Sequence, residues 1–180
     1  MKERPRTGSP FAGADTLARP SDDDRFMREA LGEARRAGEH GDVPVGAAIV
    51  RDGTIIARAG NRREADADPT AHAEVIAIRE AARALGRWRL SDCALYVTVE
   101  PCAMCAGAAV LARIALVVFG APDEKAGAVR SNAELLDATW TNHRPRWRFY
   151  PLLRDEVERL LSEFFATQRS GRSDADQDPV

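Results

Sequence analysis

Cysteine is scarce in this chain: three occur among 180 residues, too few for a disulfide-built scaffold. Lysine is scarcer still. Of 26 basic residues only Lys2 and Lys125 are lysine, and the 28 acidic residues leave a formal net charge of −2. A chain-wide attraction to nucleic acid is therefore excluded, and any such contact must come from a local basic face. No apolar run approaches the ~20 residues that a membrane-spanning helix needs. The first residues, Met1-Lys2-Glu3-Arg4-Pro5-Arg6, lack the apolar segment of a secretory signal behind them. The expectation is a cytoplasmic protein without membrane contact.

What is present is an ordinary globular composition, 44% hydrophobic and 30% charged, long enough for one domain with a substantial core. Residues 1–21 are rich in Pro, Gly, Arg and Asp without periodicity and read as a disordered arm. Residues 170–180 read the same way. Between them, 22–169 reads as one compact domain.

Asp22-Asp23-Asp24 suits a helix start, and Phe26, Ala30, Leu31, Ala34 and Ala37 follow at helical spacing. Val45–Val50 and Thr54–Ala59 flank Arg51-Asp52-Gly53, a hairpin signal. Thr70 is placed to cap a second helix ending near Leu85, with Gly86 as its stop. Ala94–Val99 reads as a strand, and Pro101 suits the first turn of a third helix. Ile114–Gly120 and Trp147–Tyr150 read as strands, Asn132–Asp137 as a short helix, and Asp155–Gln168 as an amphipathic one. Strands alternating with helices after a hairpin predict a three-layer α/β/α sandwich around a mixed sheet of about five strands.

Two of the cysteines carry the chemistry. Cys102 and Cys105 stand three apart in Pro101-Cys102-Ala103-Met104-Cys105, downstream of His72-Ala73-Glu74. Alone, the cysteines could be half of a structural zinc site or a redox pair. With His72 they make three zinc ligands, and the fourth position is left for water. A structural site of two cysteines and two histidines would need another imidazole. His40 lies on a turn and His143 far downstream. Residues two apart share no face within a helix, so His72 and Glu74 converge only on a target beyond the helix end. Two helix N-termini would then point at one zinc, their partial positive charge favouring thiolates. Glu74 is left to move protons. Hydrolytic loss of ammonia from an aromatic amidine carbon uses all these parts, and the pattern matches the signature of zinc deaminases. Cys93 reads as a small buried apolar residue.

With these residues the chain resembles bacterial tRNA-specific adenosine deaminases of the cytidine deaminase-like superfamily. The similarity is carried by Asp42-Val43-Pro44-Val45-Gly46-Ala47, Gly60-Asn61-Arg62, Asp68-Pro69-Thr70-Ala71-His72-Ala73-Glu74, and Leu95 through Ala108. It continues in Val118-Phe119-Gly120-Ala121, Asp123, Lys125-Ala126-Gly127-Ala128, Asn142-His143-Arg144 and Ser162-Glu163-Phe164-Phe165. The resemblance implies a homodimer with one zinc per subunit and no organic cofactor, converting adenosine to inosine at the wobble position of a tRNA anticodon stem-loop. It implies His72, Cys102 and Cys105 as ligands and Glu74 as proton shuttle. Asn61 and Ala71 would hold the nucleoside. Asp123 and Lys125 would face flanking RNA, with His143 and Phe164 near its path. Arg144, Arg146 and Arg148 are further candidates for phosphate contact. The chain departs from the family pattern at Arg130, where a glycine is usual, and in Pro145-Arg146-Trp147-Arg148-Phe149-Tyr150-Pro151. Two other readings stand beside this one. The chain could deaminate a free base or nucleoside such as guanine or cytosine, or be a non-catalytic, zinc-containing RNA-binding partner subunit.

Overall fold

The structure, a computed structural model, describes residues 20–175. Nine main elements occur in the order α1 (Asp23–Glu39), β1 (Gly46–Arg51), β2 (Thr54–Gly60), α2 (Ala73–Leu85), β3 (Cys93–Val99), α3 (Ala103–Leu111), β4 (Leu116–Ala121), β5 (Arg146–Phe149) and α4 (Arg154–Ala175). Short 3-10 turns occupy Pro20–Asp22, Leu135–Asp137 and Pro151–Leu153.

The hairpin forms where Asp52 and Gly53 take left-handed backbone angles (φ 48° and 71°), which suit the twist of a tight two-residue turn. β1 then pairs antiparallel with both β2 and β3, while β3, β4 and β5 run parallel. The sheet order is β2-β1-β3-β4-β5. Alternate residues of the central strands feed two cores, as the two-residue period of a strand requires. Ala47, Ile49, Leu95, Val97, Val117 and Phe119 pack with α2 and α3. Ala48, Val50, Ala94, Tyr96, Leu116 and Val118 pack with α1 and the start of α4. The result is the expected three-layer sandwich. α1 presses so closely on the sheet that a Cβ at Gly46 would lie 2.0 Å from the Ala30 carbonyl oxygen.

Three local expectations change. α2 begins at Ala73, with His72 rather than Thr70 as its N-cap residue. Thr70 instead bonds back to Asp68, through both its amide and its hydroxyl. α3 begins at Ala103 with Cys102 at the N-cap, so Pro101 precedes the helix instead of opening it. The backbone of α4 continues to Ala175, past the expected boundary at 169. Residues 1–19 of the expected arm and 176–180 of the expected tail lie outside the described residues. No helix among the described residues is long and apolar enough to cross a membrane.

A candidate metal centre and active site

Two helices deliver the ligands. His72 and Cys102, the N-cap residues of α2 and α3, both have extended backbones (φ −75°, ψ 147° and φ −69°, ψ 174°). Cys105 follows in the first turn of α3 and is buried. His72 Nδ1 lies 3.8 Å from Cys102 Sγ and 3.5 Å from Cys105 Sγ. All three donor atoms fall within 4.8 Å of one another. Ligand atoms around a tetrahedral zinc, with bonds of about 2.0–2.3 Å, are separated by about 3.5–3.8 Å, so the donor set and its spacing fit that ion.

The three donors are coupled through shared protons. Cys102 is brought down to about 4, first because Cys105 donates a hydrogen bond to it, with His72 assisting. Cys105 is correspondingly pushed far up by that same bond and by burial. His72 is raised, chiefly by its hydrogen bond to Cys102. The sulfurs thus hold a proton between them that a divalent cation would displace.

Glu74, in the first turn of α2, is 3% exposed. Its Oε2 has no hydrogen-bond partner among the described residues. Burial pushes its carboxyl up to about 7, against an ordinary value of 4.5. A buried carboxyl with one uncommitted oxygen and near-neutral proton affinity can both take and give a proton at working pH. An orphaned buried oxygen costs stability, and a functional partner is its natural explanation.

Two further side chains hold these helix ends in place. Asn61, buried at the end of β2, accepts the Ala73 N–H on Oδ1 at 2.9 Å and so caps α2 from outside. Glu100, immediately before Pro101 and only 2% exposed, gathers the loop after β4. Its Oε1 accepts backbone N–H bonds from Val129 (3.0 Å), Arg130 (2.7 Å) and Ser131 (2.9 Å). Its Oε2 accepts from the Ser131 hydroxyl and from Asp123 N at 3.3 Å. The loop is also stitched to the ligand segment by Ala128 N to Pro101 O at 2.8 Å.

Of the expected site residues, the fold brings His72, Glu74, Cys102 and Cys105 together. Asn61 stands beside them through its bond to Ala73, and the loop with Asp123 and Lys125 is tied to Glu100. Asp123 turns its own loop, its Oδ1 accepting from Lys125 N and Ala126 N. Asn61 and Ala71 also line a cleft of ≈730 Å³ between α1, β2 and α2, whose lining does not include the three ligands. Phe164 is half-buried on α4, its ring edge-on to Phe165 at 5.5 Å. His143 lies elsewhere. Its Nε2 meets the Ile114 carbonyl at 2.7 Å, just before β4, at the edge of the sheet formed by the N-terminal ends of β3 and β4 and away from the Cys102 segment that follows β3. Arg144 and Arg146 follow it at that edge, since β5 starts opposite Leu116. Arg148 is turned under the sheet, where its guanidinium meets Asp23 at 3.0 Å. Asp23 in turn accepts from the Tyr96 hydroxyl. Cys93 is fully buried at the start of β3, its thiol pushed up to about 12 by burial.

Sequence reasoning missed Glu100 and the capping role of Asn61. The signal for Glu100 was a lone acid at the end of a strand of β-forming residues, directly before proline.

The zinc-binding region of cytidine and deoxycytidylate deaminases matches residues 20–121. A tRNA-specific adenosine deaminase of Aquifex aeolicus is 52% identical over 145 residues, 81% of this chain and 95% of the relative. The chain belongs to the tRNA-specific adenosine deaminase family. A Bacillus subtilis member is 46% identical across 85% of this chain and 94% of its own. Among solved structures, a tRNA:A34 deaminase studied for A-to-I editing at the wobble position is 46% identical, with a TM-score of 0.74, covering 77% of this chain and 99% of that one. The guanine deaminase of Nitrosomonas europaea shares the architecture at 26% identity and a TM-score of 0.64, covering 92% and 98%.

Proposed function

We propose that this deaminase hydrolyses the 6-amino group of adenosine at the wobble position of a tRNA anticodon, leaving inosine and ammonia. The observation that carries the reading is the convergence of His72, Cys102 and Cys105 beside a buried glutamate with a free oxygen. The 52% identity to a tRNA-specific adenosine deaminase supports the choice of substrate.

In this reading His72, Cys102 and Cys105 hold one zinc per subunit. When bound, the ion supplies Lewis acidity that makes a water molecule a nucleophile near neutral pH. Glu74 takes a proton from the attacking water and passes it to N1 of the adenine ring. A new C6–O bond forms; Glu74 then takes the remaining proton from the C6 hydroxyl and delivers it to the departing amine, so that the C6–N bond breaks, C6=O forms and ammonia leaves. One carboxyl performs both transfers because its proton affinity sits near 7. Asn61 holds the α2 N-terminus and presents its amide donors to the nucleoside, with Ala71 beside it. Asp123 and Lys125 face the flanking nucleotides, and Phe164 lies near the RNA path. A hairpin loop keeps the cost of taking the base out of its stack small. The protein works as a cytoplasmic homodimer. The exposed Met104 and Leu111 on α3 are apolar surface that a second copy would cover.

Mass analysis of an anticodon stem-loop after incubation tests this directly, with guanine, cytosine and adenosine as parallel substrates. Inosine in the stem-loop is the expected product. Deamination of a free base with the RNA unchanged would overturn it in favour of the guanine-deaminase-like alternative.

A further inference from the structure

The loop that Glu100 suspends carries an arginine with no carboxylate partner among the described residues. Arg130 donates its backbone N–H to Glu100 Oε1 at 2.7 Å, so its Cα is fixed relative to the Cys102 segment. Its guanidinium lies over the Phe149 ring, 5.2 Å from the centroid. That ring is itself set by Phe119, 5.5 Å away. Stacking on an aromatic face orients the guanidinium while leaving its in-plane N–H donors unspent. Opposite stands Arg154 at the start of α4, and together with Pro122, Glu124, Ser131 and Phe149 these arginines line a cleft of ≈280 Å³. Two guanidinium groups face one carboxylate there. Glu124 acts on Arg154, which also bonds Glu158 through Nε at 2.6 Å, so the uncommitted charge belongs to Arg130.

We propose that the Arg130–Arg154 cleft is a phosphodiester subsite for the substrate strand next to the deaminated nucleotide. The proposal rests on the tRNA reading above. It adds a contact outside the ligand cluster, on the loop that also bears Asp123. Pro122 and Glu124, the neighbours of Asp123, line the cleft, so a strand passing Asp123 enters it with its backbone. Backbone contact positions a nucleic acid without reading its bases. Arg130 therefore sets affinity and register of the RNA, and leaves the chemical step to the residues around Glu74.

The test is binding of a labelled anticodon stem-loop to the zinc-loaded protein, with kcat and KM for inosine formation measured in parallel. Arg130→Ala and Arg154→Ala are compared with wild type over a salt series, after thermal melts show that both remain folded. Loss of one single-strand phosphate contact lowers the slope of log K against log salt by about 0.7. The expected result for Arg130→Ala is that reduced slope, a KM raised several-fold and an unchanged kcat. A second arm replaces single phosphates of the stem-loop by uncharged methylphosphonates. One linkage weakens wild-type binding and has no further effect on Arg130→Ala, the signature of a direct pair. An unaltered salt slope in Arg130→Ala, or additive losses at every linkage, overturns the subsite. Wild-type protein that binds the stem-loop but forms no inosine overturns the functional reading instead, and the binding arms still decide the subsite.

Discussion

Asn61 caps a helix that begins twelve residues further along the chain, its Oδ1 accepting the Ala73 N–H. The same residue is expected to touch the nucleoside, and substitution separates the two roles. Asn61→Asp keeps the acceptor and removes the amide donors. It should hold zinc and melt close to wild type, with KM raised. Asn61→Ala should in addition lose about 1 kcal/mol of stability, the usual worth of an N-cap. Equal melting temperatures for wild type and Asn61→Ala would refute the capping role.

Glu74→Gln retains the shape of the buried side chain and loses its proton exchange. Inosine formation should fall by about 10²–10⁴-fold, the range of general acid–base catalysis. Metal content measured by plasma emission should be unchanged, because Glu74 stands outside the ligand group. Turnover near wild type would remove the shuttle from the mechanism.

Chelation should abolish activity and lower the melting temperature, and added zinc should restore both, since a ligand bound only by the folded state stabilises it. Cys102→Ser and Cys105→Ala should resist that restoration. The helix starts that carry the ligands are also held by Asn61 and by the Glu100 loop, so circular dichroism of the metal-free protein should stay close to that of the loaded one.

Glu100 gives a pH dependence of stability with a definite sign. Burial raises its carboxyl, but the bonds from Ser131, Arg130 and Val129 outweigh that, and the folded value lies below 4.5. The contribution is therefore fully present above the unfolded value and is lost as pH falls through the folded one. Denaturant unfolding of wild type and Glu100→Gln should differ at pH 7 by about 2–3 kcal/mol, as for hydrogen bonds to a charged group. The gap should close as the medium is acidified below 4.5. A gap that persists in acid would show that charge is not what holds the loop.

Gly127 has no room for a side chain. A Cβ there would lie 2.5 Å from the Glu100 carboxyl carbon and 2.6 Å from the Asp123 carbonyl oxygen. Gly127→Ala should destabilise by about 1–3 kcal/mol, the cost of overpacking, and raise KM as the loop shifts. Wild-type KM in this variant would mean that the loop's position does not govern RNA binding.

Much of this was legible in the chain. The Arg51-Asp52-Gly53 turn marked the hairpin, and short runs of apolar and β-forming residues marked the strands, because both signals are local. The cap of α2 was not, since Thr70 offered a nearby hydroxyl while the true acceptor, Asn61, comes from another element. Asp23 read as a helix-start acid, yet the fold buries it against Tyr96 and Arg148. Arg146 and Arg148 are two apart on β5 and share a face of the strand, yet Arg146 is exposed while Arg148 reaches the Asp23 carboxylate of α1. The two-residue period therefore could not say which of them meets solvent, because the difference comes from what packs against that face.

The sequence by itself determined the donor chemistry: one imidazole, two sulfurs and a carboxylate, at spacings that suit helix starts. The tertiary structure alone decided that they meet, because His72 and Cys102 lie thirty residues apart and converge only when β1 and β3 pair and bring the N-termini of α2 and α3 to one place. It also decided that His143 stands at the far edge and that Arg130 rests on Phe149. Bond types and periods are properties of neighbours along the chain. Distances between distant side chains are fixed by sheet register and helix packing, which no short stretch encodes.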